Sequence, residues 1–244
     1  MSSFLKKRVR VVLVETSHPG NIGAVARSMK TMSLERLYLV NPLTYPSAEA
    51  TSRASGADDV LAGAQVCQSL NEALEGCSFI VGTSARQRRI EWPLLSAREC
   101  AQQVSHHASE GDIAIVFGRE RSGLKNEELD LCHAMMNIPT SQDYTSLNLA
   151  SAVPIVAYEL FLSCSDVVTR DKNAEERATH EQMEGFFSHL WEALVATEFL
   201  DPQNPGQLKR RLRRIYSRAH LTRNEVNILR GVLTSTLDKT KSLR

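Results

Sequence analysis

Five short, predominantly apolar runs constrain this chain more than any other feature. They fall at residues 8–15, 37–40, 79–82, 113–117 and 134–138, the last weaker than the others. Runs of this length, bounded by glycine and polar residues, suit strands covered on both faces. None approaches the roughly 18–20 apolar residues of a membrane span. Helix candidates lie between them. Residues 22–32 follow the first run, Ser96 and Glu99 form a capping box, and Asn126 reads as an N-cap followed by the acids Glu127 and Glu128. Alternating strand and helix predict an α/β domain with a mainly parallel sheet.

After residue 163 the pattern changes. Residues 164–180 are polar and predict a linker. From there the apolar period is purely helical: Met183, Phe186/Phe187, Leu190/Trp191 and Leu194/Val195, then Leu208, Leu212, Ile215 and Ala219, then Val226, Leu229, Leu233 and Leu237. Pro202 and Pro205 break the first stripe from the second. Thr222 and Glu225 form a capping box, and Leu221 with Val226 has the spacing of a hydrophobic staple. The expected organisation is an α/β domain over 1–163, a linker over 164–180 and a small all-helical domain over 181–244.

Charge follows the same division. The total of +1 would argue against a nucleic-acid partner, yet residues 201–244 hold 11 basic and 3 acidic side chains. Residues 1–200 hold 18 basic and 25 acidic. An acidic body joined to a basic extension points to an anionic partner. Five widely spread cysteines without a C-x-x-C pair support neither a disulfide framework nor a zinc site, and suit a reducing cytoplasm. The basic N-terminus precedes an apolar stretch too short for a signal-peptide core.

Common catalytic signatures are missing. There is no G-x-G-x-x-G after a strand, no H-E-x-x-H and no G-x-S-x-G. The run from Gly118 to Lys125 imitates a P-loop, but Leu124 separates Gly123 from the lysine and Asn126 replaces the hydroxyl residue. What remains is three turns, each directly after a strand. Thr16 to Arg27 (TSHPGNIGAVAR) carries glycines into a helix start, where free N–H groups can hold an anion such as phosphate. Gly118 to Leu124 is a charged loop at the carboxyl end of the most apolar strand, where ligands bind in open α/β sheets. Ser146 to Ala150 opens a helix after the last strand. Singly, each also reads as an ordinary turn or cap.

Together they carry a resemblance. Asn21-x-Gly23-x-x-Ala26-Arg27, then Phe117-Gly118-x-Glu120-x-x-Gly123-Leu124, then Ser146-Leu147-Asn148-Leu149-Ala150 resemble the three motifs of the SPOUT-class RNA 2′-O-ribose methyltransferases. The likeness covers about residues 8–162. Glu15-Thr16-Ser17-His18, Gly82-Thr83-Ser84-Ala85-Arg86 and Tyr144-x-Ser146-Leu147-Asn148, with the helical extension, resemble the bacterial TrmJ branch of that class. That branch methylates the ribose of cytidine or uridine at position 32 of the tRNA anticodon loop.

The resemblance implies a SPOUT-type α/β fold with helices on both faces of the sheet and a trefoil knot. It also implies a tRNA partner, a homodimer with a composite active site, and S-adenosylmethionine (SAM) as methyl donor without a metal. By carry-over, the cofactor contacts the backbone of Thr83, Ser84, Ala85, Gly118 and Ile138, and of Thr145, Ser146 and Leu147. Arg27 acts at the 2′-hydroxyl and its phosphate, reaching in from the other subunit. A guanidinium with a pKa above about 12 is a poor base, which favours clamping over proton abstraction. Asn21, Glu120, Ser146 and Asn148 orient Arg27 and the substrate. The plainer alternatives are an ion pair of Glu120 with Arg119 or Arg121, and helix capping by Ser146 and Asn148.

For the RNA, Leu208, Leu212, Ile215 and Ala219 are expected to face inward. That leaves Lys209, Arg210, Arg211, Arg213, Arg214 and Arg218 for phosphate contact or a solvated face. Arg86, Arg88 and Arg89 form a second basic cluster, while Trp92 and Tyr144 suit either base stacking or packing. His18 is assigned no role. Two other functions stay open: a ribosomal-RNA 2′-O-methyltransferase of the same fold, and a non-catalytic RNA-binding protein on this scaffold, which would bind RNA without SAM.

Overall fold

The computed structural model describes residues 7–84, 94–107, 111–143, 145–163, 176–204 and 206–242. The first part runs β1 (Val9–Val14), α1 (Pro19–Thr31), β2 (Arg36–Val40), α2 (Ala48–Ala54), α3 (Asp58–Ala62), β3 (Gln65–Cys67), α4 (Leu70–Leu74) and β4 (Cys77–Thr83). It continues through β5 (Leu94–Leu95), α5 (Ala97–His106), β6 (Asp112–Phe117), α6 (Asn126–Leu129), β7 (Ala134–Met136) and α7 (Leu149–Ser163). The seven strands form one sheet in the order β3-β2-β1-β6-β4-β7-β5, and every pairing is parallel.

The apolar runs are continuous because successive residues serve opposite layers. Val11, Leu13, Phe79, Val81, Ile113, Ile115 and Phe117 join α1, α5 and α7 on one face. Val12, Val14, Ile80, Ala114 and Val116 pack with Leu70 and Leu74 of α4 and Leu129 of α6 on the other. Fully buried side chains such as Leu13, Ile22 and Phe79 each contribute about 1.5–3 kcal/mol.

β6 inserts between β1 and β4, and β7 between β4 and β5, so later strands return into gaps left by earlier ones. The carboxyl ends of β4, β6 and β7 therefore lie side by side. One local expectation changes. The N-cap of α6 is Lys125 rather than Asn126, because the Lys125 N–H reaches the Glu128 carboxylate at 2.6 Å. α7 begins at Leu149, so Pro154 sits beyond the first turn and removes one intrahelical bond.

The second part consists of α8 (His180–Ala196), α9 (Leu208–Arg218) and α10 (Arg223–Ser242). Met183, Phe186, Phe187 and Leu190 of α8 pack with Val226 of α10. The Thr222–Glu225 capping box forms as expected. The stripe on α9 buries only in part: Leu208 and Leu212 are half-buried, but Ile215 is 52% exposed and Ala219 is exposed, whereas Tyr216 and Ser217 turn inward. The partners of α9 explain the rotation. α8 offers aromatic faces and a carboxylate, so Arg213 lies 4.3 Å from the Phe187 ring centre and pairs with Glu184. Asp130 of the α/β body takes Arg210 at 2.7 Å. Arginine stems can cover apolar surface while their heads stay paired.

These helices close the amino-terminal edge of the sheet. His180 pairs with Asn71 at 3.0 Å, and the Gly76 N–H donates to Glu181 at 2.9 Å. The His220 ring lies 5.8 Å from Phe79 and 6.1 Å from His133. His133 Nδ1 accepts the Ile80 N–H at 3.0 Å, and burial pushes its pKa down to about 3. It is therefore a neutral structural group.

Candidate active site

An open cavity lies at the carboxyl ends of β4, β6 and β7. Phe117, Met136, Ile138 and Leu149 form its apolar wall, and Thr83, Ser84 and Gly118 bring backbone to it. The loop before α7 adds Thr145, Ser146 and Leu147. Of the residues expected at a cofactor, all but Ala85 line this space, and Ala85 lies outside the described residues, as do Arg86, Arg88, Arg89, Trp92 and Tyr144.

The walls are fixed from behind. The Ser84 N–H donates to the Met136 carbonyl at 3.0 Å, and Asn137 donates its side-chain N–H to the Ser84 carbonyl at 2.9 Å. Asn137 escaped the sequence reading; its only signal was a polar side chain at the end of an apolar run. Gly118 is a true close approach, since a Cβ there would lie 2.2–2.6 Å from the Gly123 and Leu124 backbone. Arg119 and Gly123 exchange backbone hydrogen bonds across the loop, at 2.9 and 3.3 Å. Arg119 is gripped by Glu15 at 2.7 Å and by Glu128 at 2.8 and 3.0 Å. Its hydrogen bond holds the Glu15 carboxyl below the usual range.

Glu120 removes one of the plainer alternatives. It does not pair with Arg119 or Arg121. Its carboxylate accepts the Asn21 side-chain N–H at 3.0 Å, the Ser17 hydroxyl at 3.0 Å and the Ser17 N–H at 3.2 Å. Burial alone would raise its pKa, but these donors outweigh burial and lower it. Glu120 therefore ties the loop that enters α1 to the loop after β6. Gly23 serves packing instead, because a Cβ there would meet the Ala50 carbonyl at 2.0 Å.

Asn21 and Glu120 are therefore joined, and Glu120 and Ser146 both reach the cavity. Asn148 caps α7, accepting the Ala150 N–H at 2.8 Å. Arg27 is exposed on α1 and does not line its own chain's cavity. On α9, Lys209, Arg211 and Arg218 are exposed, Arg214 is half-buried, and Arg210 and Arg213 are spent on ion pairs. Among the described residues, no group of three or more His, Cys, Asp or Glu is placed to hold a metal ion.

The SpoU rRNA Methylase family matches residues 8–158, which include this entire cavity. The chain belongs to that family. Residues 181–244 match the C-terminal domain of the tRNA methyltransferase TrmJ. Two relatives of this SpoU-family chain place it in the TrmJ branch. The tRNA (cytidine/uridine-2′-O-)-methyltransferase TrmJ of Pectobacterium atrosepticum is 47% identical, over 93% of this chain and 95% of that protein. The tRNA (cytidine/uridine/adenosine-2′-O-)-methyltransferase TrmJ of Pseudomonas aeruginosa is 48% identical, over 94% and 93%. The crystal structure of TrmJ from Z. mobilis ZM4 superposes with a TM-score of 0.81 at 32% identity, covering 93% of this chain and 97% of that one.

Proposed function

We propose that this protein transfers a methyl group from SAM to the ribose 2′-hydroxyl of cytidine or uridine at position 32 of the tRNA anticodon loop. The cavity at the carboxyl ends of β4, β6 and β7 carries the reading. Its residues fit such a cofactor: apolar walls for a flat base, hydroxyls at Thr83, Ser84, Thr145 and Ser146, and a backbone approach at Gly118 that admits no side chain. When bound, SAM supplies a methyl group on a positively charged sulfur, a leaving group that is already activated.

The chain's own contribution is placement. Alignment of reacting groups in a closed site can supply about 7–11 kcal/mol of barrier reduction. Glu120 and Asn21 fix the start of α1 against the cavity rim. Ser146 stands at the rim, and Asn148 sets where α7 begins. Arg27 clamps the phosphate beside the target ribose and eases loss of the hydroxyl proton.

We assign Arg27 to the cavity of a second copy. Its exposure on α1, apart from its own chain's cavity, supports that reading. A second support is the solvent-facing stripe of Ile155, Tyr158 and Leu162 on α7, a helix packed against α1. The same proposal includes a trefoil knot formed where β6 and β7 return beside β4, a cytoplasmic location, and division of the chain into a catalytic part over 1–163 and a tRNA-binding extension over 181–244. No helix among the described residues is long and apolar enough to cross a membrane.

The test is transfer from labelled SAM to unmodified tRNA, with the methylated ribose mapped. Methylation at position 32 is expected, and Arg27→Ala should lose on the order of 100-fold in rate while folding normally. No methyl on any tRNA ribose, or an Arg27→Ala variant as active as wild type, overturns the proposal. Preferential transfer to ribosomal RNA would replace the substrate assignment.

A further inference from the structure

Four charged residues lie in or beside the loop between β6 and α6, and three are already committed. Arg119 is held between Glu15 and Glu128, Glu120 takes the α1 entry loop, and Lys125 lies within 3.8 Å of Glu15. Arg121 differs. It lines the cavity and is exposed, and no hydrogen bond, ion pair or ring contact engages its side chain among the described residues. Its backbone is nonetheless well placed. The Arg119–Gly123 bridge closes the loop on either side, and Gly118 lets the two arms of the loop approach closely. An unpaired guanidinium on a braced loop at the open side of the cavity is available to an oxyanion.

We propose that Arg121 binds the RNA backbone phosphate next to the target ribose, acting within the chain that holds the cofactor. This rests on the methyltransferase reading above. Two oxyanions could meet it there, the RNA phosphate and the carboxylate of the cofactor's methionine. The phosphate is favoured by position, because Arg121 is exposed whereas the apolar wall of Phe117, Met136 and Leu149 is buried. A fork of N–H donors suits a phosphate held in two-point contact. Arg121 is then a substrate-positioning group, distinct from Arg27 on α1.

The experiment uses the full-length protein as wild type, Arg121→Gln and Arg121→Lys. It measures SAM affinity by calorimetry, and tRNA affinity and methyl transfer over a range of salt. Arg121→Gln should weaken tRNA binding about tenfold or more and raise KM for tRNA, with SAM affinity unchanged. The slope of log affinity against log salt should fall by about 0.7, one single-strand phosphate contact. Arg121→Lys should restore the slope but only part of the affinity. Wild-type tRNA affinity and slope in Arg121→Gln overturn the assignment. An equal loss of SAM affinity also overturns it, giving Arg121 to the cofactor carboxylate. A wild-type protein that transfers no methyl overturns the underlying reading and this one with it.

Discussion

The two edges of the sheet solve opposite problems with similar residues. At the carboxyl edge, charged and hydroxyl side chains surround a cavity, and the carboxylates Glu15, Glu120 and Glu128 are used up in shaping loops. At the amino edge, three imidazoles and Phe79 stack beneath the C-terminal helices, and ion pairs close the rim. One edge keeps space for a ligand; the other removes it. The comparison shows how a parallel sheet separates binding from stability. Backbone polar groups at the carboxyl ends remain available to a ligand, while the other end can be sealed.

The sharpest way to break this contrast is to fill the open edge. Gly118→Ala places a methyl 2.2 Å from the Gly123 backbone, which must move. SAM binding by calorimetry and methyl transfer should fall by about 100-fold or more, since such overpacking costs roughly 1–3 kcal/mol and displaces the wall itself.

Opening the closed edge should give the opposite profile. Truncation after Ser163 uncovers Phe79 and His133 and removes the basic helix α9. SAM affinity should persist while tRNA affinity drops about tenfold to 1,000-fold, read by a filter-binding titration. Unchanged tRNA affinity would refute a role for the extension.

A smaller effect is expected from Glu120→Gln, which keeps the shape but removes the charge at the α1 entry. Transfer should slow about tenfold, and thermal unfolding should shift down by a few degrees. The pH dependence of the wild-type shift fixes the sign. Because the native Glu120 pKa is lowered, its contribution is complete above the ordinary carboxylate range and is lost as pH falls through the native value.

A last contrast separates the edges by pH alone. His133 titrates near 6.5 when unfolded and about 3 when folded. The unfolded chain therefore binds the extra proton, and stability declines as pH falls from about 6.5 toward 3. His133→Phe removes the titrating group, and its stability should vary less with pH over that window in urea unfolding.

Much of the fold was legible locally. β1, β4 and β6 announced themselves as apolar runs because both faces of those strands are covered. The boxes at Ser96–Glu99 and Thr222–Glu225 form as their spacing indicated. β3 was missed because it is an edge strand with only Cys67 buried, and β5 because two residues give no period. The cavity wall was readable as far as its motif residues reached. The buttress Asn137, the double grip on Arg119 and the partner of Glu120 were not, since each joins residues about 50 to 100 positions apart or spans a turn that spacing leaves undefined.

By itself the sequence determined the parallel α/β core, the three strand-end turns, the charge division and the helical period of the extension. These depend on local periodicity and on turn chemistry, which act over a few residues. Tertiary structure alone decided that Glu120 takes Asn21 and Ser17 rather than a neighbouring arginine, that Arg210 and Arg213 of α9 are drawn into ion pairs, and that Arg121 has no side-chain partner among the described residues. Which charges are satisfied depends on what distant strands bring within hydrogen-bond reach, and no local pattern encodes that distance.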